Sequence, residues 1–130
     1  IDAGAVVGRP LVIVSGVGQG SVVSNLTITG GSYGNAGGNF GAGFRLLDTG
    51  IHIADCIIRN NGQGAYGQGA GFYVYGGSPV IQGCTIRNNT FGGTNGKQGL
   101  GVYQAGGMLT LQNCLINNTG TKFFSSLDAG

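Results

Sequence analysis

Segments that recur at intervals of 30, 28 and 30 residues constrain this chain more than any other feature. VSNLTITGG (23–31), IADCIIRNN (53–61), IQGCTIRNN (81–89) and LQNCLINNT (111–119) overlay without gaps, anchored on Leu26, Cys56, Cys84 and Cys114. A second block repeats in phase: GAGFRLL (41–47), GAGFYVY (69–75) and GLGVYQA (99–105). Its anchors Phe44, Phe72 and Val102 each stand nine residues before Ile53, Ile81 and Leu111. Two blocks that keep one phase define a repeat architecture, in which each unit buries its apolar face against the next copy.

Within each unit the apolar residues alternate. Cys56 and Ile58, Cys84 and Ile86, and Cys114 and Ile116 fall on one side, with Ile57, Thr85 and Leu115 on the other. Alternation over four to six residues bounded by Gly and Asn predicts strands. A strand that meets its own copy one repeat later must run parallel to it, so the chain is expected to coil as a solenoid with rungs about 4.8 Å apart. Composition excludes the competing repeats. Thirty glycines in 130 residues would cost a helical unit about 1 kcal/mol at each position. Two prolines without a Gly-X-Y period exclude collagen. Charged residues are only 8%, too few for a disordered polyampholyte. The net charge of +2 comes from scattered Lys and Arg, so no nucleic-acid partner is expected. No apolar run reaches membrane-spanning length, and residues 1–30 lack the basic start of a secretion signal.

The motifs SNLTITGG, GAGFYVYGGSPVIQGCTIRNN and LTLQNCLINN resemble the right-handed parallel β-helix repeats of bacterial surface proteins in the pectate-lyase-like superfamily. The resemblance covers roughly residues 10–120. It implies one all-β domain over 1–130, a right-handed parallel β-helix of about four to five coils with 28–30 residues per coil. Members of that superfamily include lyases, adhesins and repeat arrays, so fold alone assigns no activity.

Side-chain placement narrows the chemistry. The three cysteines are expected as an inward column of free thiols; a disulfide between adjacent rungs and a metal remain the alternatives. His52, the single histidine, reads as a partly exposed strand residue rather than a zinc ligand. Asn60, Asn88 and Asn118 suit bends between strands, and their stacked amides are expected to bond along the ladder. The resemblance implies that the lyases hold Ca²⁺ on acids of neighbouring rungs. Here the acids are Asp2, Asp48, Asp55 and Asp128, and none falls above another. No catalytic residue, metal or cofactor is therefore assigned.

Arg45, Tyr73 and Tyr103 follow the inward anchors by one residue and are expected to face outward, with Leu47, Tyr75 and Ala105 as the next outward column. Arg45, Tyr73, Tyr75 and Tyr103 form the candidate ligand surface, a flat aromatic platform for a sugar ring. Cross-strand packing or cover by a neighbouring loop is the competing reading of the same column. Gln104 falls inward and marks an edge of the core.

Coil one is expected to carry 12 rather than nine residues between Leu11 and Val23. The chain opens on Ile1-Asp2-Ala3-Gly4 and closes on Leu127-Asp128-Ala129-Gly130, as if another copy of coil one began there. Ile1, Phe123, Phe124 and Leu127 are the candidate stacking interface, with the chain itself or adjacent repeats as the partner. The expected role is a structural or adhesive module of a secreted or cell-surface bacterial protein, stacking end to end into a fibre; the alternative is a carbohydrate-binding or polysaccharide-processing domain, with surface glycans as the second partner class.

Overall fold

The computed structural model describes residues 1–2, 12–32, 39–63, 67–91, 99–117 and 124–126. The first turn carries β1 (Val12–Ser15), β2 (Val22–Ser24) and β3 (Thr27–Thr29). After β4 (Asn39–Phe40), the second carries β5 (Phe44–Thr49), β6 (His52–Ala54), β7 (Ile57–Arg59) and β8 (Gly62–Gln63). The third has β9 (Gly67–Gln68), β10 (Phe72–Gly77), β11 (Val80–Gln82), β12 (Thr85–Arg87) and β13 (Thr90–Phe91). β14 (Val102–Gln104), β15 (Thr110–Gln112) and β16 (Leu115–Asn117) form the fourth, and β17 (Phe124–Ser126) opens a fifth.

Every pairing is parallel and joins one turn to the next. The first sheet runs β1-β5-β10-β14-β17, the second β15-β11-β6-β2 and the third β16-β12-β7-β3. Two short pairs, β4 with β9 and β8 with β13, cross the arm that leads from the third sheet back to the first. This is the coil expected from the repeat. Cα partners Val23, Ile53, Ile81 and Leu111 keep the spacing of 30, 28 and 30 residues. In the first sheet Val12, Phe44, Phe72, Val102 and Phe124 align, at spacings of 32, 28, 30 and 22. Turn length therefore varies beyond the expected 28–30, and most of the variation is taken up in the arm.

One expected alignment is corrected. Val12, not Leu11, stands over Phe44, which leaves 11 residues to Val23 rather than 12. Alternation alone could not place this edge, because Leu11, Val12, Ile13 and Val14 are all apolar.

The interior is a set of stacked columns. Ile28, Ile58 and Ile86 are fully buried, as are Phe44, Phe72 and Val102. The Phe44 and Phe72 rings stack with centroids 4.9 Å apart and planes 6° from parallel, an arrangement that adds about 0.5–1.5 kcal/mol to area burial. The anchor column is continuous in the backbone: the amides of Ile57, Thr85 and Leu115 donate to the carbonyls of Leu26, Cys56 and Cys84. Burial along it is not uniform. Cys56 and Cys84 are sealed, Cys114 is half-buried and Leu26 is 36% exposed. Leu26 therefore does not share the closed interior as expected.

Corners between strands use left-handed residues. Asn25, Asp55, Gly83 and Asn113 occupy one column between the second and third sheets, with φ of 57°, 52°, 63° and 51°. Asn60 and Asn88 turn the chain after the third sheet at φ of 53° and 54°, as expected. Asn and Asp tolerate this region because their short side chains bond locally. The amide ladder, however, lies one residue further on. Asn60 and Asn88 are exposed, whereas Asn61 and Asn89 are fully buried. Asn61 Nδ2 donates to Asn89 Oδ1 at 3.1 Å and to Ile28 O at 3.2 Å, and its Oδ1 accepts from Gly31 N at 3.0 Å. Asn118 lies outside the described residues.

The GAG motif belongs to this corner. A Cβ on Gly71 would stand 2.4 Å from the Gly101 carbonyl oxygen of the next rung and 3.2 Å from Asn89 Nδ2. Only a residue without a side chain lets the arm close over the amide ladder.

Candidate functional site

The outer face of the first sheet carries the candidate ligand column. Register sets Arg45 beside Tyr73 and Tyr73 beside Tyr103, with Ser15, Leu47 and Tyr75 in the adjacent column. The two columns differ in exposure. Tyr75 is 53% exposed, but Tyr73 is buried at 6% and Tyr103 completely. The expected platform of exposed tyrosines is corrected on this point. The arm folds back over the column, and the Phe40 ring lies 4.7 Å from that of Tyr73. Tyr73 and Tyr103 stack at 5.7 Å with planes 16° apart. Cover by a neighbouring segment, the competing reading of the sequence, describes these two residues.

Electrostatics follow the burial. Burial raises the Tyr73 phenol above its ordinary value; Tyr103 adds to the rise and Arg45 opposes it. Burial likewise raises Tyr103, against a lowering by the Gln68 side chain. Among the described residues the Tyr103 hydroxyl nevertheless makes no hydrogen bond of good geometry. Arg45 is half-buried, its guanidinium carbon 5.7 Å from the Phe40 ring centroid, within reach of a cation–π contact. Its Nε is sealed from solvent and has no hydrogen-bond partner among the described residues.

Beside the covered column lies an open cleft of about 360 Å³ lined by Ser15, Arg45, Leu47, Asp48, Tyr73 and Tyr75. It brings together three of the four candidate residues and leaves Tyr103 out. A guanidinium, a carboxylate, two phenols and a hydroxyl around one apolar side chain can hydrogen-bond a polyol while an aromatic face takes its C–H surface. Ser15 was hidden from sequence reasoning by the one-residue slip in coil one. Asp48 enters the sequence reading only among the acids compared with a Ca²⁺-holding column; the signal for its place in the cleft is that it directly follows Leu47 of the Tyr75 column.

The remaining acids do not converge. Asp48 and Asp55 both have left-handed backbone, Asp48 near the end of β5 and Asp55 at the corner between β6 and β7. Their Oδ1 atoms lie over Gly76 and Gly83 of the next rung, where an added Cβ would come within 1.9 and 2.3 Å. Among the described residues no group of three or more His, Cys, Asp and Glu side chains is placed to hold a metal ion. His52 Nε2 lies 3.0 Å from Gln82 Oε1 on the adjacent strand, and the imidazole is partly exposed as expected.

All three cysteines are free thiols. No helix among the described residues is long and apolar enough to cross a membrane. Of the stacking residues, Phe123 and Leu127 lie outside the described residues, and for Phe124 only the backbone is described, opposite Val102. Ile1 is 58% exposed, its amino group donating to Thr27 O, and Asp2 bridges to Thr29. Gln104 is half-buried at the edge of the core, where its Nε2 donates to Gly107 O at 2.7 Å.

Searches of curated proteins and of solved structures each returned no match. The family model for the right handed beta helix region matches residues 12–127. That span contains every paired strand of the three sheets, and the chain belongs to the right-handed β-helix family.

Proposed function

We propose that this chain is a non-catalytic, structural or adhesive β-solenoid module of a secreted or cell-surface protein, one that associates end to end with further rungs. The observation that carries this reading is the gradient of core burial along the coil axis. Ile53, Ile58, Phe72, Ile81 and Ile86 in the middle turns are fully sealed; on the outer turns Ile28 and Val102 are sealed too, but Val23, Leu111, Cys114 and Ile116 are only partly buried. An apolar cross-section that stays partly wet at each end gains about 25 cal/mol per Å² when another rung covers it. Among the described residues, β2 and β15 are the edge strands of the second sheet, and such edges offer backbone groups to an incoming strand. The non-catalytic part of the proposal is supported by Asp48 and Asp55 lying in different columns, each at a positive φ that a short polar side chain tolerates. Sedimentation velocity over a wide concentration range tests the reading. Concentration-dependent association is expected, weakened by Leu111→Lys and Ile116→Lys with the β-sheet spectrum retained; a monomer at every concentration refutes it.

A second reading, carbohydrate binding, is favoured by the cleft beside Tyr75. In this reading a sugar ring lies on the exposed Tyr75 face while Arg45 and Asp48 bond its hydroxyls. Titration calorimetry against a set of soluble polysaccharides is expected to show binding that Tyr75→Ala abolishes. Undetectable heat with all of them refutes it.

A further inference from the structure

The cysteine ladder has a geometry that neither proposed role uses. Each thiol makes the same two contacts in its own turn. Cys56 Sγ donates to Ala54 O at 3.2 Å, Cys84 Sγ to Gln82 O at 3.3 Å and Cys114 Sγ to Gln112 O at 3.4 Å. Each also points at the previous rung's second sheet: at Val23 O (3.9 Å), Ile53 O (3.7 Å) and Ile81 O (3.4 Å) respectively. Side chains that share their contacts share a rotamer. Successive sulfurs are therefore displaced by the rung translation, about 4.7–4.9 Å.

That spacing is too long for a disulfide, which needs sulfurs about 2.05 Å apart. It is close to the span of two metal–sulfur bonds laid end to end, at about 2.3 Å each. A tetrahedral ion would need four ligands, and no cluster of three is present among the described residues. A linear ion needs only two. We propose that Cys84 and Cys114 form a two-coordinate site for a soft d¹⁰ cation, bound as a linear bis-thiolate along the coil axis.

Charge selects among such cations. Two thiolates with a divalent ion make a neutral complex, while cuprous or silver ion would leave one negative charge in an apolar core. The mercuric ion is therefore favoured. Binding is an exchange without oxidation: two S–H bonds break, two metal–sulfur bonds form, and two protons leave to solvent. The surroundings suit a cation held between the sulfurs. The groups that face the thiols are carbonyl oxygens, which would destabilise a bare thiolate and attract a bound metal. Entry is from the end of the stack, since Cys114 is half-buried while Cys56 and Cys84 are each 1% exposed.

The test is titration of the reduced chain with mercuric chloride alone, two chlorides leaving each ion as the thiolates bind, followed by sulfur-to-metal charge-transfer absorbance and proton release; affinity is then ranked by the absorbance lost to an added competing monothiol. One ion per chain and two protons per ion are expected, with the chain remaining monomeric at the low concentration used. Cys56→Ala is expected to bind as the parent does. Cys84→Ala leaves two thiols separated by two rungs and is expected to bind at least 100-fold more weakly. X-ray absorption should show two sulfurs at about 2.3 Å in the parent. Equal affinity in Cys84→Ala with two protons released, or ions that bridge two chains, would overturn the proposal. Circular dichroism of each variant separates loss of the site from loss of the fold.

Discussion

Replacing Asn61 by alanine isolates the corner ladder that closes the coil. The side chain is fully buried and makes three hydrogen bonds, to Gly31 N, Ile28 O and Asn89 Oδ1. Alanine leaves the buried Gly31 amide without that acceptor, at about 1–3 kcal/mol, and removes a donor from two oxygens at about 1 kcal/mol each. Asn89 Oδ1 keeps the bond from Asn61 N at 3.1 Å, which limits the loss there. The expected cost is about 2–5 kcal/mol, a large share of the roughly 5–15 kcal/mol that stabilises a typical domain. Urea unfolding followed by circular dichroism measures it, with Asn60→Gly as control. Asn60 is exposed at φ 53°, so glycine there is expected to change stability by under about 1 kcal/mol. Asn61→Asp adds a pH signature. Its second oxygen would face two acceptors, so the native state retains a proton that the unfolded chain releases near pH 4. Stability is then highest below that pH and falls as pH rises toward the elevated native pKa. Asn61→Ala costing less than 1 kcal/mol, or Asn61→Asp being insensitive to pH between 4 and 8, would refute the account of the corner.

Gly71→Ala is expected to cost several kcal/mol in the same assay, because its Cβ would stand 2.4 Å from a backbone oxygen that cannot swing away. Alkylation with iodoacetamide at pH 8 should modify Cys114 first, since it is the more exposed thiol; Cys84, pushed up to about 12 by burial, should react only as the chain unfolds. The same shift gives a stability term with a definite sign: the buried neutral thiol contributes fully below the unfolded value of about 8.5, and the contribution is lost as pH rises toward 12. Thermal melts at pH 8 and 10.5 should show that loss, and Cys84→Ala should show less of it. In a glycan-binding assay, Tyr75→Ala should remove any affinity found, whereas Tyr103→Phe, deep beneath the arm, should leave it unchanged.

The coil was legible in the chain because a parallel solenoid repeats its environment every turn. A residue such as Ile58 meets Ile28 on one side and Ile86 on the other, so the sequence must repeat wherever the interior does. Alternation then assigns the inward face, and the left-handed corners announce themselves as Asn, Asp or Gly in one column. Burial at the outer side of a sheet has no such signature. Tyr73 and Tyr103 obey the alternation and point away from the core, yet they are covered, because the arm returns over them through contacts that sequence spacing does not encode. The same holds for Asn61 against Asn60, where adjacent identical residues differ only in which one the corner turns inward. Local pattern determined the winding, its pairing and its interior columns, since each depends on neighbours one repeat away. Tertiary packing alone decided which outward residues remain in water and where the cleft opens, since those depend on how far an irregular arm travels before it meets the sheet.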